Sequence, residues 1–349
     1  MEAPSVARRR VFGGGGPTLA EVGEAELLRR LIVLGAATSG AAELVVGSGD
    51  DAAVWRPPPG SDIVLSQDAI VEGEDFLREW TDPEEVGERA LQVALSDLAA
   101  MGAAPRHCLV TLCAAAETQV EDLLAIQRGI CAAAVAAGCR VAGGDVSAIA
   151  GPLVVDIAVI GAVVPGRALR RDGGRPGDSL LVTGRLGGAA AGLRILMGRL
   201  AAPPEAAALW RERQLRPRAR LAEGLELAAA GVRCAGDLSD GLIVDVGRIV
   251  DASACGAEIW LDSLPVDAEL KGALGAGWAE AALGGGEDFE LVAAVAPELV
   301  PVLLAGWPPA LQPLSVIGRL DGGRDLRLRQ GPEGAAVPLP QVLSRHFRA

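Results

Sequence analysis

The stretch SLLVTGRLGGAAAGLRIL, residues 179–196, sets the pattern from which the fold class can be predicted. Ser179–Thr183 is a short apolar run typical of a buried strand, and Gly188–Leu196 has the composition of a packed helix. The glycine-rich turn GRLGG, residues 184–188, joins the two. A turn of this kind either holds a phosphate on the first amides of the helix or allows tight packing, and both alternatives are open at this point.

The same succession of strands and helices extends along the chain on both sides of this stretch. The sequence predicts further strands over Ile63–Ser66, Cys108–Ala115, Val154–Val164 and Leu291–Val295. It predicts helices over Glu21–Leu34, Pro83–Met101, Val120–Gly138, Pro217–Ala230 and Leu242–Ala252. Because strands and helices alternate in both halves, the fold class is α/β or α+β. The uncharged stretch Leu299–Gly318 contains four prolines, which favours a loop over a membrane-spanning helix.

The length of 349 residues suggests two domains, at roughly 150 residues each. Residues 1–20 are expected to be a flexible lead-in. The run Arg167–Asp178 is rich in glycine and arginine and marks the expected domain boundary. We therefore predict an N-terminal domain over residues 21–165 and a C-terminal α+β domain over residues 166–349.

Composition excludes several classes of function. With 32 basic and 45 acidic residues the net charge is −13, which argues against binding to nucleic acid. Two histidines and no tyrosine exclude a paired-histidine metal site and a tyrosine acid, and no cysteine pair has the C-x-x-C spacing. The only lysine, Lys271, lies between Leu270 and Gly272, so the Walker motif of P-loop enzymes is absent. We expect a cytoplasmic protein with reduced cysteines and no membrane segment.

Aspartate residues recur beside glycine or serine, at positions expected to be strand ends and turns. These short motifs are GDD (49–51), SQD (66–68), SD (96–97), GGD (143–145), DLSDG (237–241) and GGGED (284–288). Any one of them could be a solvated turn or a helix cap. Asp97 and Asp145, however, lie in apolar sequence surroundings, where an unpaired carboxylate is costly. Mg²⁺ takes oxygen ligands and commonly bridges carboxylates to phosphates, so the set points to phosphate chemistry.

Seven sequence blocks, in order, resemble the thiamine-monophosphate kinase family, which belongs to the superfamily of aminoimidazole ribonucleotide synthetase. They are GDDAAV (49–54), LSDLAAMGAAP (95–105), GGDVS (143–147), GRALRRDGGRPGD (166–178), VTGRLGGAAAGL (182–193), DLSDGLIVDVG (237–247) and GGGEDFEL (284–291). The resemblance implies a two-domain aminoimidazole ribonucleotide synthetase-like fold. Its N-terminal mixed sheet pairs with that of a partner in a homodimer, and its C-terminal domain is α+β.

The resemblance also implies a transferase that moves the γ-phosphoryl group of ATP directly onto thiamine monophosphate, giving thiamine diphosphate, with several Mg²⁺ ions. The positions that match metal ligands or metal contacts are Asp51, Ser66, Gln67, Asp68, Asp97, Asp145, Asp237 and Asp240. The positions that match ATP contacts are Gly144, Asp145, Arg171 and Ser239. We expect Asp97, Asp145 and Asp240 to be the catalytic residues. The positions expected to contact the acceptor substrate are Asp75, Glu287 and Ser344.

The acceptor positions depart from the family pattern. Asp75 stands where the family has a histidine, Gln67 replaces a hydroxyl residue, and Ala94 replaces an asparagine. Ser344 stands near the position of an aromatic residue that packs on the substrate, for which Trp307 or Phe347 could substitute. Two alternatives therefore stay open: an enzyme of the same superfamily with another phosphorylated or carboxylated acceptor, and an inactive nucleotide-binding paralogue.

Overall fold

The computed structural model describes residues 11–38 and 44–340. The chain divides into two compact units, which are described separately. The first unit comprises the described residues up to 57 together with residues 65–94 and 105–160. The second comprises residues 58–64, 95–104 and the described residues from 161 onward.

A four-stranded sheet and two long helices form the first unit. Its helices are α1 (Leu19–Val22), α2 (Glu24–Ala36), α3 (Pro83–Ala100), whose last turns belong to the second unit, and α4 (Val120–Ala136). Its strands are β1 (Leu44–Val46), β2 (Val54–Trp55), β3 (Asp62–Val71), β4 (Ala104–Ala114), β5 (Arg140–Ala148) and β6 (Val154–Val163). The sheet order is β3-β6-β4-β5, with β4 and β5 parallel, and β1 and β2 form a separate antiparallel pair.

Two glycines let helices α3 and α4 approach closely. A Cβ atom on Gly87 would lie 2.0 Å from the carbonyl oxygen of Ile126, and one on Gly129 would lie 1.9 Å from that of Glu84. Both distances are impossible for a real side chain, so each glycine is required by the crossing. The predicted start of α3 is confirmed at Pro83, where the Asp82 carboxylate accepts a hydrogen bond from the Glu85 amide at 2.9 Å.

The expected lead-in is described from residue 11. Within it, helix α1 begins after Thr18, whose side chain and that of Glu21 form a reciprocal capping box. Leu19 is buried, and its amide donates to the carbonyl oxygen of Thr118. The remaining part of the lead-in, residues 1–10, lies outside the described residues.

The second unit is a seven-stranded sheet with helices on both faces. Its strands are β7 (Ser179–Thr183), β8 (Cys234–Asp237), β9 (Gly256–Trp260), β10 (Leu291–Val295), β11 (Leu314–Asp321), β12 (Leu326–Arg329) and β13 (Ala336–Val337). Its helices are α5 (Gly188–Leu196), α6 (Pro204–Leu215), α7 (Leu221–Ala229), α8 (Leu242–Ser253), α9 (Ala268–Leu274), α10 (Trp278–Gly284) and α11 (Val300–Gly306). Three single turns of 3₁₀ helix cover Arg171–Gly173, Leu261–Ser263 and Gly275–Gly277. The strand order is β13-β12-β9-β11-β7-β10-β8, and only the β9–β12 pair is parallel.

The central strands of this sheet are apolar on both faces because each face has its own core. Along β7, Leu180 and Val182 pack in one buried cluster while Leu181 packs in the other. Strand β10 divides in the same way, with Val292 in the first cluster and Leu291 in the second. A strand buried on both sides loses the alternation of polar and apolar residues, which explains the unbroken apolar runs in the sequence.

Several predicted elements differ from those observed. The helix expected over Glu21–Leu34 is divided at Gly23, and the helix expected from Pro217 begins at Leu221. The stretch Leu299–Gly318, expected to be a loop, contains helix α11 and the start of strand β11. Pro301 occupies the first turn of α11, where its missing N–H costs nothing, so this proline does not prevent a short helix. Strand β3 runs on to Val71 instead of ending at Ser66. Within residues 11–38 and 44–340, no helix is both long and apolar enough to cross a lipid bilayer.

Candidate active site

Three motif loops of the second unit meet at one end of its sheet because their strands are neighbours. Strand β10 pairs antiparallel with both β7 and β8, and Leu291 lies opposite Asp237. The loop 284–290 that enters β10 therefore lies beside the loops that leave β7 and β8. Backbone hydrogen bonds join two of them, from the Glu287 amide to the Ser239 carbonyl at 2.7 Å and from the Leu238 amide to the Glu290 carbonyl at 2.8 Å.

Asp237, the last residue of β8, is the most buried of the predicted metal ligands, at 3% exposure. Burial raises the pKa of its carboxyl group, and the negative charge of Asp97 raises it further. The Ser96 hydroxyl donates to Asp237 at 2.9 Å, and the Arg171 guanidinium lies 3.9 Å away. The structure thus brings Asp97 and Asp237 together, with one arginine too distant for a close ion pair.

Asp240 belongs to the same loop and is paired with an arginine. The Arg248 guanidinium donates to Asp240 and, at 2.6 Å, to Asp245. Asp245 is buried in the first turn of α8 and accepts a hydrogen bond from the Asp240 amide at 3.1 Å. Burial, together with the charge of Asp237, raises the pKa of Asp245 to about 7. Sequence reasoning missed Asp245, although its place in the motif DLSDGLIVDVG, in the first turn of the predicted helix, could have revealed it.

Glu287 lies in a strained part of the loop 284–290. Its φ is +65° and that of Phe289 is +47°, a left-handed backbone region that side chains rarely adopt. The Gln214 side chain on helix α6 donates a hydrogen bond to the Glu287 carboxylate. Strain of this kind persists only where surrounding contacts hold it, and it is common at functional sites.

The glycine turn 184–188 is capped by a carboxylate of the protein itself. Asp288 accepts hydrogen bonds from the amide of Gly187 at 2.7 Å and from that of Ala189 at 3.2 Å. Burial raises the pKa of Asp288 to about 7. Because Asp288 occupies the first amides of α5, the arrangement favours tight packing over phosphate binding at this turn.

Five of the predicted residues of the first unit lie on strands: Ser66, Gln67, Asp68, Gly144 and Asp145. Ser66, Gln67 and Asp68 are inside β3, so alternation places the Gln67 side chain on the opposite face from the other two. Gln67 donates to Asp156 on β6 at 2.6 Å. The side chain of Gln67 is therefore not suited to bind the same metal ion as the Asp68 carboxylate, and only the backbone oxygen of Gln67 is.

Gly144 and Asp145 lie on β5, at the other edge of the sheet from β3. A Cβ atom on Gly144 would lie 1.9 Å from the carbonyl oxygen of Val110, so packing alone requires glycine there. Asp145 is exposed and accepts from the Ser147 hydroxyl at 2.9 Å. The expectation that Asp145 is enclosed by apolar residues is wrong, because its side chain lies on the uncovered face of an edge strand.

Two further corrections concern secondary structure. Asp68 and Asp145 lie within strands and not at the strand ends or turns expected for them. Asp97, grouped with the same turn motifs, lies in the last turn of helix α3, inside the helix predicted over Pro83–Met101. Asp51, by contrast, lies in an exposed bend, where the Asp50 carboxylate accepts from its amide at 2.9 Å.

The altered acceptor positions have local roles in the structure. The Asp75 carboxylate accepts from the Val71 amide at 2.7 Å and so closes the turn after β3. The Trp307 indole donates to the carbonyl oxygen of Gln312 at 2.8 Å and packs against a core of the second unit. Ser344 and Phe347 lie outside the described residues.

The chemistry of the donor set fits Mg²⁺. In the described part of the chain, no three acidic, histidine or cysteine side chains form a ready-made metal site. The carboxylates come instead in pairs, Asp97 with Asp237 and Asp240 with Asp245. Mg²⁺ is commonly bound by one or two carboxylates together with water and substrate phosphates, so paired acids are the donors that it needs.

Comparisons with known proteins agree with these features. Residues 49–163 match the family model "AIR synthase related protein, N-terminal domain", and residues 175–330 match the corresponding C-terminal domain. The thiamine-monophosphate kinase of Salmonella typhimurium is 39% identical over 262 residues, which cover 74% of this chain and 78% of that protein.

Solved structures of similar proteins give the same picture. The crystal structure of thiamine-monophosphate kinase from Stenotrophomonas maltophilia K279a has a TM-score of 0.76 at 34% identity, covering 88% of this chain and 97% of the other. A structure described as AaThiL complexed with AMPPCP and TMP has a TM-score of 0.70 at 30% identity, covering 92% and 98%.

Proposed function

The chain belongs to the thiamine-monophosphate kinase family of AIR synthase related proteins, and from that premise we propose that it transfers the γ-phosphoryl group of ATP to thiamine monophosphate. The observation that carries the proposal is the buried carboxylate of Asp237, whose pKa is raised by burial and by the nearby charge of Asp97, so that its ionised form needs a cation. A divalent cation bound to ATP satisfies that need.

In the proposed reaction, an oxygen of the acceptor phosphate forms a bond to the γ-phosphorus of ATP. The bond from that phosphorus to the β–γ bridging oxygen breaks in line, which releases ADP. The acceptor oxygen is already ionised at neutral pH, so no general base is needed, and the scarcity of histidine is no obstacle. Arg171, beside Asp237, is suited to a charge-assisted contact with ATP.

We propose that Asp97, Asp237 and Asp240 of the second unit, and Asp51, Asp68 and Asp145 of the first, hold the magnesium ions. When bound, Mg²⁺ neutralises charge on the two polyanions that must react. Asp240 is held by Arg248 in the structure and would have to exchange that partner for the metal. Asp245 supports the loop by accepting the Asp240 amide, and we regard it as a positioning residue.

The test is ADP release by the purified chain with ATP and Mg²⁺, with and without thiamine monophosphate, the product being identified by mass. Thiamine diphosphate formed at enzymatic rates supports the proposal. ATP binding without that product would overturn the acceptor assignment and favour another phosphorylated or carboxylated acceptor. ATP binding without ADP release on any phosphorylated acceptor would favour an inactive paralogue.

We further propose a homodimer formed through the open face of the sheet in the first unit. Leu65 on β3 is 70% exposed and Leu109 on β4 is 40% exposed in the single chain. Exposed leucines on a sheet face are typical of a surface covered by a partner. The family resemblance supports a second copy of the chain as that partner.

A further inference from the structure

The second unit contains a cavity of about 260 Å³, and five of the eleven residues that line it are arginines. They are Arg185, Arg213, Arg216, Arg218 and Arg220. Sequence reasoning gave this part of the chain no role. In a protein with a net charge of −13, five arginines around one cavity are unexpected on composition alone.

The arrangement follows from the sequence RPRAR, residues 216–220, which connects α6 to α7. All three arginines of this non-helical segment line the cavity. Pro217 is buried and fixes the segment, while Arg216 and Arg218 keep part of their surface exposed. Helix α6, which ends immediately before the segment, contributes Arg213 to the wall.

The acidic residues of the cavity leave a positive excess. Three carboxylates line it, those of Glu212, Asp288 and Glu290. A fourth, Asp267, lies 3.1 Å from Arg185 and 3.4 Å from Arg213, so the five guanidinium groups exceed these carboxylates by one. Glu290 accepts two hydrogen bonds from Arg220, at 2.8 and 2.6 Å, and one from the Thr183 hydroxyl at 2.6 Å. Asp288 is engaged by the first amides of α5. The oxygens of these two acids are therefore largely committed to other partners.

We propose that this cavity binds a small phosphoryl anion, either free pyrophosphate or the diphosphate end of a larger metabolite. Guanidinium groups match phosphate oxygens in a bidentate fork, which makes clustered arginines the usual phosphate receptor. The volume is sufficient for such a group, and two of the lining residues, Arg185 and Arg218, are exposed to solvent. The proposal does not depend on the kinase activity, because none of the five arginines is a predicted ATP, metal or acceptor contact.

The experiment is calorimetric titration of the whole chain in EDTA, so that carboxylate-bound metal cannot recruit the anion. One arm uses sodium pyrophosphate and the other thiamine diphosphate. We expect saturable binding in at least one arm, and the arm that binds identifies whether a free or a substituted diphosphate is recognised. Loss of two charged hydrogen-bonding groups should weaken binding by about tenfold or more in the double variant Arg216→Gln/Arg218→Gln.

The control is Arg211→Gln, which makes the same type of substitution, with the loss of one positive charge, on the exposed surface of α6 outside the cavity. Its affinity should equal that of the wild type. Circular dichroism and melting temperature confirm that each variant is folded before titration. Absence of saturable binding in both arms, or equal affinity in the wild type and the double variant, would overturn the proposal.

Discussion

The carboxylate of Asp288 accepts a hydrogen bond from the amide of Gly187 at 2.7 Å, across 101 residues of sequence. Gly187 has a φ of +82° and immediately precedes helix α5, whose N-terminus attracts negative charge. A carboxylate of the protein thus occupies the glycine turn 184–188, whose sequence is also compatible with phosphate binding. One consequence is that the loop 284–290 is joined to the turn after β7 by hydrogen bonds to the Asp288 carboxyl group, whose charge depends on pH.

We expect the stability of the second unit to depend on pH through Asp288. Its pKa is about 7 in the folded chain, above the ordinary value of about 4 in the unfolded chain. Between these values the folded state holds the extra proton, so the free energy of unfolding falls as pH rises from about 4 to 7. Urea unfolding of Asp288→Asn over this range should show a shallower decline, and the part that remains is expected from Asp245, whose pKa is also raised to about 7. The exposed Asp251→Asn serves as the control, and identical pH profiles for wild type and Asp288→Asn would contradict the prediction.

Elements bounded by glycine could be predicted from the sequence, and those that depend on packing could not. The predicted bounds of β7, α5 and β10 are confirmed residue by residue. Helix α7, in contrast, begins at Leu221 and not at Pro217. The preceding segment, residues 216–220, is not helical and lines the cavity. No local pattern indicates that Arg220 must face Glu290, which lies 70 residues further along the chain.

The candidate site was predictable in its residue types and not in its pairings. The repeated Asp-Gly and Ser-Asp motifs indicate carboxylates at turns, and Asp237 and Asp240 do lie in such a turn. The sequence does not indicate that Asp97 lies near Asp237, because 140 positions separate them and only tertiary packing brings them together. For the same reason the burial of Asp237 and the exposure of Asp145 could not be foreseen.

Replacing single carboxylates should separate catalysis from folding. Asp145 is exposed and Asp97 is only partly buried, so Asp97→Asn and Asp145→Asn should keep the melting temperature within a few degrees. Each loses a proposed magnesium ligand, and ADP release should fall below detection. The exposed Asp325→Asn, which lies outside the proposed site, should retain full activity. Unchanged turnover in both site variants would refute the metal-binding role of these carboxylates.

The buried ion pair of Arg220 and Glu290 should matter greatly for stability. Arg220→Gln leaves the Glu290 carboxylate buried with only the Thr183 hydroxyl as a side-chain partner, and we expect a loss of about 3–5 kcal/mol in the free energy of unfolding. Arg327→Gln breaks the more exposed pair with Asp321 and should cost about 1 kcal/mol or less. Chemical denaturation measures both, and equal losses would mean that burial does not decide the difference.

The proposed homodimer gives a direct prediction for mass in solution. Light scattering at micromolar concentration should return twice the 35.5 kDa of one chain. Leu65→Asp places a charge on the exposed sheet face and should shift the mass toward the monomer. Leu304→Asp, at a leucine that is 40% exposed on helix α11 of the second unit, is the control and should leave the mass unchanged. A monomeric wild type would contradict the proposal.

Neutralising Asp237 should stabilise the metal-free chain while abolishing its response to nucleotide. The carboxylate is buried, and both desolvation and the charge of Asp97 raise its pKa, so its ionised form is a cost to folding. Asp237→Asn keeps an oxygen that can accept from Ser96 and removes the charge. We therefore expect a higher melting temperature in EDTA than that of the wild type. Because a ligand stabilises the fold in proportion to its affinity, the further rise in melting temperature on adding Mg²⁺ and ATP should be smaller than in the wild type, or absent.

The control is Asp240→Asn. The charge of Asp240 is balanced by Arg248 in the wild type, so its removal should not increase the melting temperature in EDTA. A lower melting temperature for Asp237→Asn in EDTA, with an undiminished response to Mg²⁺ and ATP, would show that this buried carboxylate supports the fold and does not bind the metal.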